Sequence, residues 1–158
     1  MEAADRTERD ALEHFLDANR AAVTAVVDGL ADADARRSVV PTGWTPLELM
    51  VHLGGVERHW FLRVVRGDRS DRPAHHGPLA SLADATAAYR AECARSRQIL
   101  ERFGLDDAVS FDQPADLVGE VRTVRDVVLH VIEETARHAG HLDIPRELLD
   151  GRTGLGPR

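Results

Sequence analysis

Residues 123–143 read TVRDVVLHVIEETARHAGHLD, and their periodicity is that of a helix. Val124, Val127, Val128 and Val131 recur at helical spacing, and Thr123 followed three residues on by Asp126 forms a capping box that opens the element. At about 100° per residue, Glu134, His138 and His141 fall about 40°, 80° and 20° from His130, on a stripe that also holds Val127. A stripe shared with valine faces an interior, where an unpaired imidazole or carboxylate costs several kcal/mol. Something must compensate these groups.

A divalent cation would do so. Glu134 and His138 stand at i and i+4, the spacing at which two side chains of one helix present donors to one point. A third donor has to come from another helix, and His52, set among Leu49, Leu53 and Val56, is the expected third ligand. His141, one turn beyond His138, is a fourth ligand, an outer group or a substrate contact, and is carried forward as the candidate catalytic residue. His130 is expected as a core or outer-shell residue, and Glu133 as a solvated or arginine-paired one.

Three further helices flank this one. Residues 7–30 place Leu12, Phe15, Leu16, Val23, Val26 and Val27 on one side and stop near Gly29. "TPLE" at 45–48 opens a second helix, with Thr45 as N-cap, Pro46 at the first helical position and Glu48 closing the box, and it runs to about Val65. The third starts at Ser81, with Asp84 three residues on, and continues to Phe103 before Gly104. The last helix is expected to reach Gly151 but to kink or break after Asp143, because Pro145 lacks an N–H and crowds the preceding turn. "DAVSFD" and "LVGEVR" form at most a short hairpin. Four helices of about 20 residues, each about 30 Å long, point to an all-α four-helix bundle in one domain covering residues 1–158.

Composition excludes several classes of function. The formal charge of −7 and the scatter of arginines among acids argue against a nucleic-acid partner. No apolar run approaches the length of a membrane span, and "MEAADRTERD" lacks the pattern of a secretory signal, so a cytoplasmic protein is expected. The single cysteine, Cys93, lies in an Ala-rich helix and reads as an inert buried thiol. Trp44 and Trp60 are expected as core or pocket-wall aromatics and, with the loop at 67–78, are placed at the mouth of a cofactor pocket. His75 and His76 fall in that loop, which is a poor support for ligands, and His14 has no i+4 partner of ligand type. Arg137 is assigned to Glu57 across the bundle.

With these residues in hand, "GWTPLELMVHLGGVERHWF" at 43–61 and "VLHVIEETARHAGHLDIPRELLDGRTG" at 128–154 together resemble the DinB/YfiT superfamily, in a branch related to the N-terminal domains of mycothiol-dependent maleylpyruvate isomerases. The resemblance implies a bundle with up-down-down-up connectivity and a divalent metal held by one histidine of the second helix and a pair on the fourth. The matching positions here are His52, Glu134 and His138. The position matching His141 is glutamine in the common form of the motif, which places His141 at the rim. Pro145 interrupts a segment that is continuous helix in relatives, and nothing resembling the isomerases' extra C-terminal domain is expected after Gly151, so the isomerases' substrate is not part of the expectation.

Characterised members of the superfamily are thiol S-transferases. The expected function is therefore transfer of a low-molecular-weight thiol of the mycothiol or bacillithiol type to a small electrophile, with Zn or Ni as the metal on donor softness. Metal-dependent hydrolysis and a non-catalytic metal-binding stress-response module use the same residues and stand as alternatives. A small-molecule substrate and a thiol are the expected partners, and a homodimer is the candidate assembly.

Overall fold

The computed structural model describes residues 7–69, 81–109 and 119–154. Over these residues the chain is built of helices: α1 (Glu8–Val27), α2 (Asp32–Ala35), α3 (Pro46–Glu57) continued by a π-helical segment (Arg58–Val65), α4 (Leu82–Leu100) and α5 (Val124–Asp150). The all-α expectation holds in that form. Among the described residues, no helix is long and apolar enough to cross a membrane.

The helix starts follow from local chemistry. Thr7, Thr45 and Thr123 each accept a hydrogen bond from the backbone N–H three residues on, and the carboxylates of Asp10, Glu48 and Asp126 reach back to the cap. Each box satisfies two of the N–H groups that a helix start leaves without partners. Ser81 caps α4 by accepting from the Asp84 N–H. The first helix ends earlier than expected, at Val27, because Asp28 turns extended and Gly29 takes a φ of 68°.

Cross-helix contacts give the order in which the rods lie together. Along α1 and α5, Glu8 meets Arg125, Asn19 meets the Ile132 carbonyl and Val26 meets Arg146, so both sequences advance in the same direction. In α3 and α4, Gly54 lies against Tyr89, and Arg58 pairs with Glu92 at 3.3 Å. Between α3 and α5 the order is reversed, with His52 beside Glu134 and Trp60 beside His130. Two apolar clusters fill the space between, one around Phe61, Val64, Val127 and Val131, the other around Val23, Met50, Leu53, Tyr89 and Leu142. Each such side chain contributes about 1.5–3 kcal/mol when fully buried.

One charged pair lies inside this core. Arg20 donates through Nε and Nη2 to the two carboxylate oxygens of Glu57 at 2.8 and 2.6 Å, with side chains only 4% and 1% exposed. A planar guanidinium matches a carboxylate in this two-point geometry. The pair corrects the expected Arg137–Glu57 bridge: Arg137 instead pairs with Glu133, one turn away on the exposed face of α5. A partner on the same helix is reachable without crossing the bundle, and the interior position of Glu57 is already taken.

Two other expectations change. The helix opened by Thr45 does run to Val65, but its last eight residues wind more widely, with Arg66 donating to the Phe61 carbonyl at 3.0 Å. The wider turn brings Trp60, Phe61, Leu62, Val64 and Val65 all into the core. Pro145 does not break α5, which continues to Asp150 and ends at Gly151 with a φ of 76°. The cost of a helical proline, about 3 kcal/mol, is offset where the following residue is anchored: Arg146 donates to the carbonyls of Val26 and Asp28, each at 2.8 Å, and Leu142 is buried. Of the expected hairpin, the described residues contain an antiparallel bridge between Ala108 and Thr123. His75, His76 and most of the 67–78 loop lie outside the described residues.

Candidate metal centre

The centre forms where α3 and α5 cross. Leu49 and Leu53 seat one side of α3 in the core and leave His52 half-buried at its edge, facing α5. On α5, the buried Val131, Thr135 and Leu142 fix the helix's rotation, so Glu134 and His138 project toward His52. Glu134 Oε1 lies 3.1 Å from His52 Nε2 and 3.1 Å from His138 Nε2. The three residues offer one ligand atom each, all within 4.8 Å of one another. The two imidazole rings meet edge to face at 4.7 Å.

The electrostatics suit a cation. Burial alone would raise the Glu134 carboxyl, but the hydrogen bond from His52 and the charge of His138 outweigh it and hold the group below the usual carboxylate range. His138 is pushed below its ordinary value, first by burial and then by the neighbouring His52, against the pull of Glu134. Both shifts favour the unprotonated forms of Glu134 and His138, the forms that bind metal. Two ring nitrogens aimed at one carboxylate oxygen need a proton on each, or an ion in place of those protons. Imidazole and carboxylate together fit Zn or Ni, and equally Fe, Co or Mn.

His141 stands beside this cluster, its Nδ1 3.2 Å from His138 Nδ1. It therefore touches a candidate ligand through the nitrogen that faces away from Glu134. His130 is apart from the group: its ring packs on Trp60 at 4.4 Å. His14 is exposed, its ring against Phe15. His59, about two turns beyond His52, packs on Trp60 at 5.3 Å.

A cavity of about 460 Å³ opens over the three donors. Trp44 forms one wall, 47% exposed with its ring 6.0 Å from that of His52. Trp60, assigned by sequence to the same mouth, is instead a core residue, 4% exposed, and does not line the cavity. The wide turn beginning at Arg58 rotates it inward. Val40, Thr42, Ile144 and Pro145 complete the walls and were not legible as site residues. Val40 and Thr42 come from the irregular segment before α3, where no periodicity indicates direction. The i+10 spacing from Glu134 to Ile144, about 1000° or 80° short of three full turns, could have signalled that residue. Cys93 lies elsewhere, buried in the core, and burial with the nearby Glu57 charge pushes its thiol up to about 12.

Fold and site together define an all-helical protein whose interior presents two histidines and one glutamate to an open, largely apolar cavity. The chain belongs to the mycothiol-S-transferase family, whose profile matches residues 11–151. The DinB-like resemblance carried by the two sequence blocks holds. No curated protein and no solved structure matches the chain.

Proposed function

We propose that this protein is a metal-dependent mycothiol S-transferase that joins the thiol to a small electrophile in the cavity above His52, Glu134 and His138. The observation that carries the reading is the convergence of three donor atoms from two helices, within 4.8 Å, at the floor of a cavity large enough for a small molecule. The contact order among α1, α3, α4 and α5 supports the further reading of one up-down-down-up four-helix bundle, in which the site lies between two antiparallel rods.

His52, Glu134 and His138 would hold the ion. When bound, a divalent cation supplies Lewis acidity that favours the thiolate over the thiol at neutral pH. His138 then has its proton on Nδ1, from where it donates to His141 Nδ1. Accepting that bond at Nδ1, His141 would be left with Nε2 free to donate. It orients His138 and presents an N–H at the cavity rim. Trp44 and Ile144 exclude water from one side of the cavity and offer apolar surface to the electrophile. Cys93 takes no part, since its thiol is buried and held protonated.

The test is consumption of mycothiol in the presence of 1-chloro-2,4-dinitrobenzene, followed with metal-loaded and chelator-treated protein. Conjugate formed only by the loaded protein supports the proposal. Thiol-independent hydrolysis of ester substrates would replace it with the hydrolase reading. Metal retained with no turnover of either kind would leave a binding module.

A further inference from the structure

Nearly every arginine with a described partner is matched by an acid at close range: Arg9 with Glu13, Arg36 with Asp32, Arg37 with Asp34 and Arg97 with Asp17 lie at 2.7–3.0 Å. One place departs from this pattern. Where the end of the π-helical segment meets the last turns of α4, Arg66, Arg95 and Arg102 line a cavity of about 270 Å³ whose lining, among the described residues, includes no acid. The Arg102 guanidinium has no partner among the described residues. Arg66 reaches Asp68 only at 3.8 Å, and Arg95 reaches Glu92 only at 3.6 Å, on a carboxylate already engaged by Arg58.

Three arginines lining one hollow concentrate positive charge there, although a chain with a net charge of −7 has acids to spare for neutralising it. The walls add two other chemistries. Ile99 and Phe103 give the hollow an apolar side, and the Gln98 amide adds a neutral hydrogen-bonding group. The hollow is separate from the metal centre: Arg66 follows His52 by fourteen residues of continuous helix, on the order of 20 Å along the axis.

We propose that this hollow is a second ligand site, for a small molecule with an anionic head, phosphate or carboxylate, on an apolar body. The arginine forks take the anion through charge-assisted hydrogen bonds, and Ile99 and Phe103 cover the body. The site does not depend on the transferase reading, because none of its residues contributes to the metal cavity.

Titration calorimetry with phenyl phosphate, benzoate, inorganic phosphate and, as a cationic control, benzylamine tests the assignment. Phenyl phosphate is expected to bind more tightly than inorganic phosphate, and benzylamine not at all, with affinity falling as salt rises. Arg102→Gln should weaken phenyl phosphate about tenfold, and Arg66→Gln with Arg102→Gln should abolish measurable binding, while the far-ultraviolet circular dichroism is unchanged. Chelator-treated and metal-loaded protein should give the same affinity. Binding that vanishes with the metal places the anion at the metal centre and overturns the proposal. So does binding that ignores the arginine substitutions, equal affinity for phenyl and inorganic phosphate, or no binding to the wild-type chain.

Discussion

Arg20→Met removes one member of the interior ion pair and leaves the other with nowhere to go. Glu57 is 1% exposed, and both of its carboxylate oxygens are satisfied by the Arg20 guanidinium, at 2.8 and 2.6 Å. Breaking a buried pair from one side costs about 3–5 kcal/mol, because the remaining charge is buried without compensation. For a chain of this size that corresponds to a fall in Tm of roughly 6–20 °C. Glu57→Gln should cost less, about 1–3 kcal/mol, because Arg20 keeps Asp17 at 2.9 Å and the amide oxygen still accepts one bond. Replacing both residues, Arg20→Met with Glu57→Leu, should restore much of the loss, since an apolar pair of similar volume is often neutral. Urea unfolding of these proteins together with Glu57→Leu alone, at pH 7, closes the double-mutant cycle and gives the coupling energy. Equal costs for the two single variants, or a deficit below about 1 kcal/mol, would refute the reasoning by showing that water reaches the pair.

Other expectations follow from the same geometry. Cys93, buried with its thiol pushed up to about 12, should resist a disulfide reagent at pH 8 in the native protein and react fully once the chain is unfolded; fast native labelling would contradict its placement. Acrylamide should quench the 47% exposed Trp44 and spare the buried Trp60, so Trp44→Phe should remove the quenchable emission and weaken binding of an aromatic electrophile several-fold. Metal affinity should be full above the ordinary histidine range near 6.5 and fall as pH drops below it, because His138, although held below that range by burial, must eventually take a proton that competes with the ion; retention unchanged at pH 4.5 would contradict imidazole ligation. His141→Ala should lower metal affinity about 10–100-fold without abolishing it, as loss of a group that orients a ligand does.

What the sequence revealed depended on how local the cause was. Thr45 with Glu48 and Thr123 with Asp126 announced their helices because a capping box is closed within four residues. His52, Glu134 and His138 were legible because two of them share one helix face at i and i+4 and the third sits in an apolar stretch where a histidine needs a reason. Partner choice across the bundle was not legible in the same way. Glu57 turned toward Arg20, not Arg137, because helix rotation in the packed core decides which side chains meet. Arg20 falls between Leu16 and Val23 on the buried stripe of α1, which in hindsight marks it as an interior residue. Trp60 was misplaced because the wider π turn alters the angular step assumed for an α-helix. Pro145 obeyed its local rule less than its surroundings, held in the helix by the anchoring of Arg146.

The central claim is that His52, Glu134 and His138 act together on one ion. Elemental analysis of the protein reconstituted with a divalent metal and dialysed, compared with His52→Ala, Glu134→Ala, His138→Ala and His130→Ala, tests it most directly. The account predicts about one ion per chain in the wild type and in His130→Ala, and loss of most of it in each of the other three, with helical circular dichroism retained. Full occupancy in His138→Ala together with loss in His130→Ala, or no ion held by the wild type, would contradict it.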